Sequence, residues 1–140
     1  MHKFKLTIAL LLFITSISFA QQADEIIGKY HLPNKLDVEI YKAEGKYFGK
    51  IIALNGFEDG QVKDIKNPDK SARNKPLVGK VIIKDLEFDN KEKEWVDGTM
   101  YGPEKGLVFN LKITEIRQNE IEVVGSKLLF WKTLEWEKLL

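Results

Sequence analysis

Apolar and polar residues alternate with a period of two along most of this chain. Val38 and Ile40 alternate with Asp37, Glu39 and Tyr41, and Leu107, Phe109, Leu111 and Ile113 alternate with Val108, Asn110, Lys112 and Thr114. Ile121 and Val123 oppose Glu120 and Glu122, while Leu134 and Trp136 oppose Thr133, Glu135 and Glu137. Successive side chains of a strand point to opposite faces, so each such segment buries one face and wets the other. Turn-forming residues separate the segments: Glu44-Gly45, Asp89-Asn90, Glu104-Lys105-Gly106 and Gln118-Asn119. No window carries the stripe of an amphipathic helix.

The pattern predicts eight strands, near 26–31, 36–43, 46–54, 77–84, 93–101, 107–114, 120–126 and 131–138. Short strands joined by tight turns, with no helices for crossovers, point to an all-β antiparallel meander. Closing about eight strands into a single up-and-down β-barrel removes the edges that invite aggregation. A barrel of that size holds packed side chains or one small ligand. A two-sheet β-sandwich is the competing architecture.

The N-terminus departs from this pattern. Lys3 and Lys5 precede an apolar run from Leu6 to Ile17, and Ser18-Phe19-Ala20 offers small residues at the two positions a signal peptidase reads. The run is too short to cross a hydrocarbon core of ~30 Å as a helix. The expected organisation is a signal peptide at 1–20 and a β-barrel domain at 21–140 with a long loop at 55–76. The protein is therefore expected to be exported to a periplasmic or extracellular space, with no integral membrane span after cleavage.

Composition then limits the chemistry. The whole chain has 22 basic and 21 acidic residues; losing Lys3 and Lys5 leaves 20 against 21, a formal charge of −1. Near-balance gives no electrostatic footprint for nucleic acid. With no cysteine, the fold has no disulfides, thiol nucleophile or thiolate metal ligand. His31 is the sole histidine after cleavage, and neither Ser71 nor Ser126 lies in a Gly-x-Ser-x-Gly elbow. Asp59, Asp64 and Asp69 lack the alternate spacing of a calcium loop. No catalytic residue, metal or cofactor is assigned.

Two groups of residues are candidates for binding. The segment Lys63–Gly79 is a long polar connection, of a kind that compact β-domains seldom carry without a use. Asn67-Pro68-Asp69 favours a turn, and Arg73 is placed to pair with Asp64 or Asp69. The loop is then a lid folded on itself. Alternatively Lys63, Asp64, Asn67, Asp69 and Arg73 face a polar ligand at the barrel mouth. The second group is aromatic: Tyr30, Tyr47, Trp95, Tyr101, Phe109 and Trp136 fall on strand patterns, where they either fill the interior or line an apolar pocket.

The mature chain resembles the domain-of-unknown-function 2147 family of exported bacterial proteins. The resemblance runs through Gly28-Lys29-Tyr30, Val38-Glu39-Ile40-Tyr41 and Gly45-Lys46-Tyr47-Phe48-Gly49-Lys50-Ile51. It is most specific at Lys63-Asp64, Lys66-Asn67-Pro68-Asp69, Arg73 and Pro76-Leu77-Val78-Gly79, and continues through Gly98-Thr99-Met100-Tyr101 and Pro103-Glu104 to Trp136. Tyr30 stands for the family's usual tryptophan, Gly102 for an aspartate, and Phe130-Trp131-Lys132 for a Gly-Arg pattern. The resemblance implies a lipocalin- or calycin-like barrel and no established activity. The expected function is to bind or carry a small, mainly apolar molecule or lipid. The alternatives are a structural or partner-binding module of the cell envelope with a filled barrel and, least favoured, a hydrolase or isomerase.

Overall fold

The computed structural model describes residues 22–140; the expected signal peptide lies outside the described residues. Eight strands, β1 (Gly28–His31), β2 (Asp37–Ala43), β3 (Lys46–Ala53), β4 (Val81–Asp89), β5 (Glu94–Gly102), β6 (Leu107–Ile116), β7 (Glu120–Lys127) and β8 (Phe130–Lys138), form one closed antiparallel barrel in sequence order. Closure comes from β1 against β8, where Tyr30 pairs with Lys138 and His31 with Glu137. The barrel is the expected architecture, and the sandwich is not formed.

Strand boundaries follow the alternation closely except at β4. The pattern expects a strand at 77–84, whereas β4 runs from Val81 to Asp89. Two local features account for the shift. Gly79 takes φ +90° and turns the chain, while Leu77, although buried, donates its N–H to Val62 within the preceding loop. Then Asp85 takes φ +62°, so the inward positions Ile83 and Leu86 are three residues apart and the period-two signal breaks. Asp97 does the same in β5, between inward-facing Trp95 and Gly98, where the pairing with β6 slips. Such bulges bend strands and help a small barrel close.

Up-and-down topology puts the two ends to different uses. The N-terminal segment shares an end with the β2–β3, β4–β5 and β6–β7 turns, and it plugs that end. Ile26 is fully buried there and its carbonyl accepts from Tyr30 Oη at 2.8 Å. Trp95 Nε1 donates to the Ala23 carbonyl at 2.9 Å, and Tyr47 Oη donates to Asp24 Oδ1 at 2.6 Å. The opposite end carries the β1–β2, β3–β4, β5–β6 and β7–β8 connections. The β3–β4 loop covers one side of it, sending Phe57 and Leu77 into the core.

Candidate ligand-binding site

On the other side of that end the barrel is open. A cavity of about 310 Å³ descends from the rim between the β1–β2 turn and strands β5 to β8. Its walls are Met100, Phe109, Leu111, Val123, Leu134 and Trp136, with Gly125 on β7, where the Phe109 ring lies 3.1 Å from the place of an added Cβ. These positions are the inward half of the alternation, paired across the sheet as Met100 with Phe109, Leu111 with Gly125, and Val123 with Leu134. Leu32, Pro33 and Asn34 complete the rim. Trp136 is buried, so the floor is a large apolar surface. The volume sits at the lower end of the ~300–1,000 Å³ typical of small-molecule sites.

Two charged side chains enter this apolar surface. Glu104, on the β5–β6 turn, folds back over Gly102 and lines the cavity. Its Oε2 is the one buried side-chain oxygen or nitrogen among the described residues that no protein group bonds. Buried polar atoms are almost always hydrogen-bonded, and an unpaired one costs roughly 1–3 kcal/mol. Lys132, inward on β8, stands at the exposed rim. Larger depressions, of about 520 and 400 Å³, lie on the outer wall, the second lined in part by Asn67, Asp69 and Tyr101.

The loop candidates are engaged elsewhere. Asp64 is buried, and both its oxygens are bonded: Tyr101 Oη donates to Oδ1 at 2.6 Å, Asn67 Nδ2 to Oδ2 at 2.7 Å, and Lys80 Nζ lies 3.1 Å from Oδ2. Burial is the largest single influence on this carboxyl and raises its pKa. The hydrogen bonds from Tyr101, Asn67 and Lys80, with the Lys80 charge, together outweigh it and hold the pKa below 3.8. Tyr101 is pushed up in turn, by burial and then by its bond to the Asp64 carboxylate. Asp69 accepts from the backbone and hydroxyl of Ser71, and Lys63 Nζ donates to Asn74 Oδ1. Arg73 does not pair with Asp64 or Asp69; its Nε donates to the Asn67 carbonyl at 2.7 Å while Lys80, arriving from the start of β4, neutralises Asp64. None of Lys63, Asp64, Asn67, Asp69 or Arg73 lines the barrel cavity.

Of the aromatic candidates, Phe109 and Trp136 line the cavity. Tyr30, Tyr47 and Trp95 are buried at the plugged end, and burial pushes the Tyr30 hydroxyl up to about 12. Tyr101 points to Asp64. Sequence reasoning passed over Met100, Val123, Leu134, Lys132 and Glu104. The first four were within reach of the alternation on β5, β7 and β8; Glu104 sits in a turn, where no periodicity reports which way a side chain points. Among the described residues no cluster of three or more His, Asp or Glu could hold a metal ion, and no helix is long and apolar enough to cross a membrane.

A closed eight-stranded barrel, plugged at one end and entered by an apolar cavity at the other, is a lipocalin-like architecture. A family model described as "Uncharacterized protein conserved in bacteria (DUF2147)" matches residues 28–138, and the chain belongs to that family. A solved structure described as "Protein HP1028 from the human pathogen Helicobacter pylori belongs to the lipocalin family" superposes with a TM-score of 0.72. It shares 24% identity, over 83% of this chain and 84% of that one, and so establishes the fold. No curated protein matches the sequence.

Proposed function

We propose that this protein is exported and that its barrel binds a small, mainly apolar molecule carrying one hydrogen-bond donor, a hydroxyl or an amine. The observation that carries this reading is the apolar cavity of about 310 Å³ with the Glu104 side chain in its lining. Burying ligand surface on Met100, Phe109, Leu111, Val123, Leu134 and Trp136 supplies ~25 cal/mol per Å² before the costs of association. A donor placed against the Glu104 carboxylate gains a charge-assisted hydrogen bond. A ligand carboxylate at the same point meets a like charge, so an alcohol or amine is favoured over an acid beside Glu104, while Lys132 stands at the rim. The cavity also speaks against a solidly filled barrel whose role is structural. Export rests on Lys3, Lys5 and the Leu6–Ala20 segment, and predicts a purified protein whose mass begins at Gln21.

Fluorescence titration tests the ligand reading. Phenylnaphthylamine should bind saturably, and decanol or decylamine should displace it at least about tenfold more effectively than decanoate. Glu104→Gln should narrow that preference, and Leu134→Trp, which fills the cavity, should weaken probe binding about tenfold or more. Absence of saturable binding, or a Leu134→Trp variant that binds as well as the native chain, contradicts the proposal.

A further inference from the structure

The β7–β8 hairpin ends in four consecutive large apolar side chains that touch almost nothing: Leu128, Leu129, Phe130 and Trp131 are 92%, 86%, 80% and 76% exposed. Lys127 pairs with Phe130, so Leu128-Leu129 form the two-residue turn itself. Two-residue hairpin turns need positive φ at the first or at both positions, which glycine meets best. Here Leu128 is held at φ +54°, a conformation unfavourable for a bulky side chain. The sequence accepts a poor turn and projects leucine from it, which is a pattern expected of function rather than of folding.

The neighbouring β5–β6 tip extends the patch. Leu107 and Val108 are half-exposed beside it, and Lys127 Nζ ties the two tips together by donating to the Val108 carbonyl at 2.8 Å. Lys127 and Lys132 flank the apolar run along the hairpin, Lys105 lies on the β5–β6 turn, and no acidic residue occurs from Ser126 to Leu134. Glu104, on the same β5–β6 turn, is turned into the cavity. The patch is also continuous with the mouth: Phe109, Gly125, Lys132 and Leu134 line both the cavity and the groove beneath Phe130 and Trp131.

We infer that this double tip is a membrane-docking surface, which inserts its leucines and aromatics into the interface of an anionic lipid layer and sets the cavity mouth against it. A projecting hairpin suits a deformable lipid surface better than the flat or concave face of a folded partner. Leucine, phenylalanine and tryptophan ringed by lysine is the composition that lies in such an interface. The lysines add attraction to anionic headgroups that fades with salt. Docked in this way, a ligand passes between lipid and cavity without crossing water.

Vesicle flotation tests the inference, using protein purified from the cells that make it, with its N-terminus read by mass spectrometry. The native protein should float with phosphatidylglycerol-containing vesicles and much less with pure phosphatidylcholine. Trp131, the exposed tryptophan beside buried Trp95 and Trp136, should shift its emission to the blue on binding. Leu128→Gly with Leu129→Asn puts glycine at the position held at positive φ, so the fold should hold, and vesicle affinity should fall about tenfold or more. The same variant should keep phenylnaphthylamine affinity within about twofold of native, separating loss of docking from loss of the cavity. Failure of the native protein to float, or equal flotation by the variant, overturns the inference. So does a native dimer in sedimentation that the variant converts to monomer without any vesicle binding, because a second copy then covers the patch.

Discussion

Asp64 organises the polar side of the barrel rim, and its partners come from three separate parts of the chain. Asn67 is local, Lys80 leads into β4 and Tyr101 lies on β5. Replacing it with asparagine leaves Lys80 without its counter-charge and sets an amide donor against other donors. Asp64→Asn should lower unfolding free energy by about 2–3 kcal/mol, measured by urea denaturation. The pH dependence follows from the lowered pKa. The unfolded chain takes up a proton at this group at higher pH than the folded one, so the contribution is fully present above the ordinary value of 3.8. It is lost as pH falls through the folded pKa, and the variant's acid limb should accordingly be shallower than the native one. A second residue-scale test is Gly106→Ala. Gly106 holds φ +67°, and an added Cβ would lie 2.0 Å from the Lys66 carbonyl oxygen, so the loop must lift off the β5–β6 turn. Backbone strain and overpacking together should cost about 2–4 kcal/mol, read in the same denaturation experiment.

At the scale of elements, the long β3–β4 connection is folded on itself. Its two arms bond to each other, with Asp64 N–H to Lys75 O, Leu77 N–H to Val62 O and a bridge between Lys63 and Pro76. Arg73 closes the inner turn through one backbone carbonyl on the exposed surface. Arg73→Ala should therefore cost under ~1 kcal/mol in stability and leave probe affinity within about twofold. A large loss of probe binding would return the loop to the ligand site. Much of this scale was legible in the sequence, because the alternation on β2, β6, β7 and β8 is regular. β4 was not, since positive φ at Asp85 resets the phase of burial and nothing in the residue types around it announces the reset. The Asp64–Lys80–Tyr101 cluster was hidden for a different reason: its members are up to 37 residues apart, and only barrel closure brings them together.

At the scale of the whole molecule, one end of the barrel is plugged and the other is divided between a self-bonded loop and an open cavity. The aromatic candidates divide along that line. Tyr30, Tyr47 and Trp95 secure the plugged end, while Phe109 and Trp136 face the cavity. Residue types alone gave no means of sorting them, because a filled barrel and a pocketed one use the same aromatics on the same strands. What separates the two is the volume left between the inward side chains of β5 to β8, which depends on packing. The central claim is that this cavity, and not the polar loop, is where a ligand sits. The most direct test is a two-dimensional amide NMR titration with decanol. Saturable shifts are expected at Met100, Phe109, Leu111, Val123, Gly125 and Leu134, with the amides from Lys63 to Gly79 unmoved. Shifts confined to that loop or to the outer wall, or no saturable shift anywhere, would contradict it.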